Sequence, residues 1–116
     1  MLAACALVAL EDNVARLAED HANATFLAKE LRRLPSVTVD IPVETNIVFF
    51  RLDPARISSQ RFADAMAANG VKLSAAYCAV DGMDNMCRAV THVDVTRQDL
   101  ERLVEAAQGI LTGSAP

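Results

Sequence analysis

The run from Leu2 to Leu34 limits what this chain can fold into more than any other stretch. Apolar or small residues recur at Leu7, Leu10, Val14, Leu17, Ala24, Ala28 and Leu31, with His21 on the same line. Alternating steps of three and four mark one face of a helix. Glu11, Arg16, Glu19, Asp20, Lys29, Glu30 and Arg32 lie mostly off that face. Pro35 ends the helix, because the residue before a proline is kept out of the α region. A straight helix of this length would measure about 50 Å. A compact domain of 116 residues is only about 35 Å across. The helix must therefore break or project. A break near Glu11-Asp12-Asn13 is expected, with Asp12 or Asn13 as the cap of a second helix.

Met1 to Leu10 is apolar on every side. Such a helix has to be buried all round, and the chain offers too little material to surround it. The expectation is that this segment docks into a larger domain or another subunit, so that the sequence is a fragment of something longer. Met1-Leu2-Ala3-Ala4-Cys5 has the letters of a bacterial lipobox. No basic segment or apolar run leads up to the cysteine, as a secretion signal would require. The apolar stretch is also too short to cross a bilayer.

The remainder alternates strands and helices. Ser36–Asp40 reads as a short strand, with Val37 and Val39 on one face. Thr45–Leu52 is the strongest strand; its middle is apolar on both faces, which places it centrally in a sheet. Asp53-Pro54 marks the turn after it. Ser58 or Ser59 caps a helix that carries Phe62, Ala65 and Met66 inward, and Gly70 ends it as the left-handed residue. Val71–Ser74 reads as a short strand, Ala75–Asn85 as a loop turning at Asp81-Gly82, and Met86–His92 as a strand rich in β-branched residues. Thr96 and Asp99 form a variant of the capping box, and Val95 with Leu100 a hydrophobic staple. Leu100, Leu103, Val104, Ala107, Ile110 and Leu111 make the buried face of the last helix, which Gly113 stops; Ser114–Pro116 should fray. The expected class is α+β: a small, mainly antiparallel sheet of three to four strands with helices on one face, preceded by a long or kinked N-terminal helix.

The length fits one domain. A net charge of -4 argues against a nucleic-acid surface, which needs a basic patch. Cys5, Cys78 and Cys87 show no CxxC and no zinc spacing; free thiols in a reducing cytosol are expected. The only lysines, Lys29 and Lys72, lack a cofactor motif and read as solvated. His21 reads as a core or interface residue, since no second ligand is spaced to complete a metal site. His92 reads as a hydrogen-bonding residue at the junction of strand and helix. No histidine stands at an activating spacing from Cys78 or Cys87.

Arg88 is the residue with the most to explain. If side chains alternate, it shares a face with Met86 and Val90. A charge among apolar neighbours is costly unless an anion accompanies it. That anion is either an internal carboxylate, such as Asp84 or Asp94, or one belonging to a ligand.

Thr45-Asn46-Ile47-Val48, followed by Arg88-Ala89-Val90-Thr91-His92-Val93-Asp94-Val95, resembles the C-terminal small domain of the low-specificity L-threonine aldolases. Val8–Val14 and Glu19–Ala24 are similar to the helical stretch that leads into that domain. The resemblance covers about residues 2 to 112, and Arg-x-Val-Thr-His at 88–92 is its most specific part. It implies a single domain over 1–116, with 1–34 as connecting helix and 36–112 as an α/β sandwich. It also implies a parent enzyme of the aspartate aminotransferase fold type that uses pyridoxal phosphate to cleave threonine or allo-threonine to glycine and acetaldehyde. In such an enzyme Arg88 binds the α-carboxylate of the amino-acid substrate. The Schiff-base lysine, phosphate loop, ring-stacking histidine and pyridine-nitrogen carboxylate of the family have no counterpart in the chain. The fragment alone should therefore be inactive and bind no cofactor covalently. The loop Ala75–Asn85 is longer than the family's usual one. The implied partners are the missing large domain or another subunit, and the implied setting is a cytoplasmic homo-oligomer. The rival readings are a stand-alone module that binds small carboxylates or mediates assembly, and a piece of a related β-eliminating lyase.

Overall fold

A computed structural model of the chain describes residues 1–75, 82 and 84–113. The N-terminal helix both breaks and projects. Helix α1 (Leu2–Val8) runs into a π-helical segment (Ala9–Asn13), and α2 (Leu17–Arg32) follows after a turn. Asp12 and Asn13 do not cap α2: the chain stays helical up to Val14, whereas a capping residue needs extended angles. The helix starts from Arg16 without a side-chain cap.

That interruption resets the helical phase. Ala24, Ala28 and Leu31 are buried as expected, together with Asp20, Asn23 and Leu27. Leu17 and His21 are exposed, so His21 is not the core histidine that an unbroken stripe implied. Residues 1–15 are all exposed, with Leu2 at 87 % and Leu10 at 68 %. The radius of gyration, 15.3 Å, exceeds the roughly 13 Å of a compact chain of this length because this arm stands clear of the body.

The body is an α+β sandwich. Strands β1 (Val37–Thr38), β2 (Ile47–Leu52) and β3 (Met86–Val90) form an antiparallel sheet in the order β1-β2-β3, with β2 central as its two apolar faces demanded. Helices α2, α3 (Ser59–Ala68) and α4 (Arg97–Thr112) complete the body. The core joins Leu27 and Leu31 of α2, Val48, Phe50 and Leu52 of β2, Phe62 and Met66 of α3, and Leu103 and Ala107 of α4. Phe50 and Phe62 meet edge to face, 6.0 Å apart.

Several ends follow the sequence closely. Ser58, not Ser59, caps α3 by accepting the Arg61 N–H. Ala63 rather than Ala65 is fully inward, and Gly70 has φ +81°. Thr96 and Asp99 form the reciprocal capping box of α4, which Gly113 closes in the left-handed region. The segment Val71–Ser74 departs from expectation: only Ser74 bridges to β3, at Arg88, so no fourth strand forms there. The expected turn at Asp81-Gly82 and fraying of Ser114–Pro116 fall wholly or partly outside the described residues.

Candidate functional site

Alternation along β2 and β3 sorts their residues onto two faces. Val48, Phe50, Leu52, Cys87 and Ala89 join the helix-side core. Ile47, Phe49, Arg51, Met86, Arg88 and Val90 lie on the other face. Arg88 is half-buried at the middle of β3, directly opposite Phe49. Its backbone is fixed on its outer side as well: the Arg88 N–H donates to Ser74 O at 2.8 Å, and the Ser74 N–H returns to Arg88 O at 3.0 Å. The side chain it carries ends in a guanidinium, whose planar pair of donors suits a carboxylate.

The two ends of this face differ. Val90 is 41 % exposed, whereas Met86 is completely buried although it stands apart from the helix-side core. Arg51, opposite Met86, donates from Nη1 to Asp84 O and from Nη2 to Gly82 O, each at 2.7 Å, and Nη2 lies 3.6 Å from Asp40 Oδ2. No residue pattern signals this role, because the acceptors are backbone carbonyls. Asn85 was equally hidden. It sits at φ +54°, accepts the Ser59 N–H at 2.6 Å, and donates to Leu52 O and Ile57 O at 2.8 and 3.0 Å. One amide thus ties the entry of β3 to the exit of β2 and the start of α3.

The motif residues at the opposite end are fasteners. Asn46 Nδ2 donates to Thr91 O at 2.8 Å, and the Thr91 N–H donates to Asn46 O at 2.9 Å. The buried Thr91 hydroxyl donates to Asp20 O at 2.7 Å. Arg16 Nη1 pairs with the buried Asp20 carboxylate at 3.3 Å. Asn46, Thr91 and the Asp20 segment therefore lock β2, β3 and α2 together just beyond Arg88.

The other candidates carry no chemistry of this kind. His92 is exposed, and its Nδ1 accepts the Asp94 N–H at 3.2 Å, the junction role expected. Burial pushes the Cys87 thiol up to about 12, so it is not a nucleophile near neutral pH. Cys5 is exposed on α1; Cys78 lies outside the described residues. Lys29 and Lys72 are exposed. A groove of about 440 Å³ beside Lys72, lined by Leu27, Val71, Ala89, Leu100 and Leu103, does not include Arg88. Among the described residues no group of His, Cys, Asp and Glu is arranged to hold a metal ion, and no helix is long and apolar enough to cross a membrane.

No family model matches the chain. Curated proteins do. Low-specificity L-threonine aldolase 1 of Arabidopsis thaliana is 30% identical over 119 residues, covering 100% of this chain and 32% of the plant protein. The low-specificity L-threonine aldolase of Escherichia coli K12 is 34% identical over 100 residues, covering 86% of this chain and 26% of the bacterial one. This chain is related to the low-specificity L-threonine aldolases. It spans about a third or less of the aldolases it matches. Solved structures agree on the fold of this aldolase-related chain. A decarboxylase from Sulfurospirillum multivorans superposes with a TM-score of 0.66 at 21% identity, over 78% of this chain and 24% of its own. An aminotransferase from Streptoalloteichus hindustanus gives 0.66 at 12% identity, over 88% and 34%.

Proposed function

We propose that this chain is the C-terminal small domain of a threonine aldolase-like lyase, and that Arg88 binds the α-carboxylate of its amino-acid substrate. The observation that carries this reading is the position of Arg88. It lies half-buried at mid-strand, backbone-fixed, on the sheet face away from the helix-side core, within the Arg-x-Val-Thr-His element. In this reading 1–34 connects to the missing domain and 36–112 forms the sandwich. The parent cleaves threonine or allo-threonine to glycine and acetaldehyde, as a cytoplasmic homo-oligomer.

Pyridoxal phosphate would supply the electron sink for that cleavage, but this chain's own residues do not fit it. Both lysines point to solvent, and the sequence contains no glycine-rich phosphate loop. The chain's contribution is to bind and orient: Arg88 holds the carboxylate, Phe49 and Ile47 supply apolar surface beside it, and the Asn46–Thr91 fastening keeps the strand in register.

The coding sequence upstream of Met1 tests the reading first, and it should encode a lysine-bearing cofactor domain. In the joined protein Arg88→Ala should raise KM for threonine by about 10- to 100-fold, the loss expected when a charge-assisted pair is removed. The 116 residues alone should release no acetaldehyde from threonine with added pyridoxal phosphate. Cleavage by the isolated chain would overturn the proposal.

A further inference from the structure

We infer that the groove bounded by the end of α3, the start of α4 and the Val90 end of β3 seats the N-terminal arm of a second copy of this chain. The two copies exchange arms about a two-fold axis. Within one copy, two apolar surfaces lie open. The first is the arm: all of residues 1–15 are exposed, Leu7 at 57 % and Leu10 at 68 %. The second is the groove of about 440 Å³, in which Leu27, Ala89, Leu100 and Leu103 of the core meet the outside. Arg88 lies outside the groove, so the inference does not depend on the carboxylate reading.

The two surfaces match in charge as well as in polarity. The only charged side chains of the arm are Glu11 and Asp12, both acidic. The groove carries Lys72 and Arg102 on its exposed rim, and among the described residues neither enters an ion pair. Two acids share that rim, Asp94 and Asp99. Asp99 is spent on the cap of α4, where it accepts the Thr96 N–H at 2.9 Å and the Thr96 hydroxyl at 2.8 Å. Asp94 is then left alone against two cations. A helix lying in a groove inserts residues a turn apart as anchors. Leu7 and Leu10 have that spacing, and Glu11 follows directly, where the rim cations can meet it. The arm stands clear of its own body, which gives the molecule a 48 Å long axis and leaves its own groove open. Reciprocal exchange covers two arms and two grooves for a single loss of translational freedom, and it closes as a pair instead of growing into a filament.

The test uses the 116-residue chain. Sedimentation equilibrium should return a dimer. A maleimide–succinimidyl ester cross-linker should join Cys5 on the arm to Lys72 on the rim, while Lys29, the chain's only other lysine, stays unlinked. A mixture of isotope-labelled and unlabelled chains shows whether that link runs between copies. Leu10→Asp, at an exposed position, should raise the dimer Kd about a hundredfold. Lys72→Glu with Arg102→Glu should raise it about tenfold, and adding Glu11→Lys with Asp12→Lys should restore it. An unchanged far-UV spectrum in each variant reports an intact body. A monomeric wild type, a dimer that survives Leu10→Asp, or a Cys5–Lys72 link confined to one copy overturns the exchange. A dimer that Leu10→Asp dissolves but that ignores the rim reversals and yields no Cys5–Lys72 link pairs arm with arm, and overturns the groove as the seat.

Discussion

At the residue scale, two titratable side chains are set in opposite senses by their surroundings. Cys87 shares β3 with Arg88 but faces the core, where burial raises its pKa to about 12. It should resist iodoacetamide at pH 8 while the exposed Cys5 is alkylated, a contrast that peptide mass mapping reads directly; labelling of native Cys87 would contradict its placement. Asp99 works in the opposite sense. The Thr96 backbone and hydroxyl hydrogen bonds, with Arg102 nearby, hold its carboxyl below the usual 3.8. A depressed folded pKa means that its stabilising contribution is complete above the unfolded value and lost as pH falls through the folded one. The last helix should therefore loosen at its N-terminus below about pH 4, and Asp99→Asn should flatten that part of the acid profile of far-UV ellipticity. Thr96→Ala should cost about 1 kcal/mol at neutral pH, measured by urea unfolding.

At the element scale, the structure shows which elements can be read from sequence and which cannot. Helix α4 is legible because all its signals are local: the Thr96–Asp99 box, the buried Leu100, Leu103 and Ala107, and Gly113. Strand β2 is legible because a strand apolar on both faces must be central. The first helix misleads over its phase. Met1–Leu10 is apolar all round and fixes no face, and the π-helical segment and turn then rotate everything after them, which exposes His21. Arg51 and Asn85 escape notice because their partners are backbone groups about 30 residues away. The Asn85 clasp should dominate the stability of the β2–β3–α3 corner. Asn85→Ala loses three side-chain hydrogen bonds and leaves a Cβ-bearing residue without a compensating contact at positive φ. It should cost about 3 kcal/mol, and Asn85→Gly about 1 kcal/mol less because glycine accepts that backbone. Equal losses would show that the left-handed backbone carries no penalty.

At the scale of the whole molecule, the body and the arm obey different rules. The body encloses its own core and should fold without the arm. The arm leaves Leu2, Leu7, Val8 and Leu10 in water, and covering each would be worth about 1.5–3 kcal/mol. In the proposed parent, a larger domain or another subunit provides that cover; in its absence, copies of the chain should associate through the arm. Deleting residues 1–10 should shift the sedimentation-equilibrium mass towards the monomer while leaving the thermal midpoint of the body within a few degrees. An unchanged mass would remove the arm from any account of assembly. The relation to the aldolases rests on relatives that match along most of the chain; Asn46 and Thr91 prove to be fasteners, and in the proposed function Arg88 is the residue on which binding turns. Isothermal titration of glycine into the wild-type chain and into Arg88→Ala addresses that directly. Saturable heat with the wild type and none with a folded Arg88→Ala is the predicted result; no heat with the wild type, or equal heat with both, would contradict it.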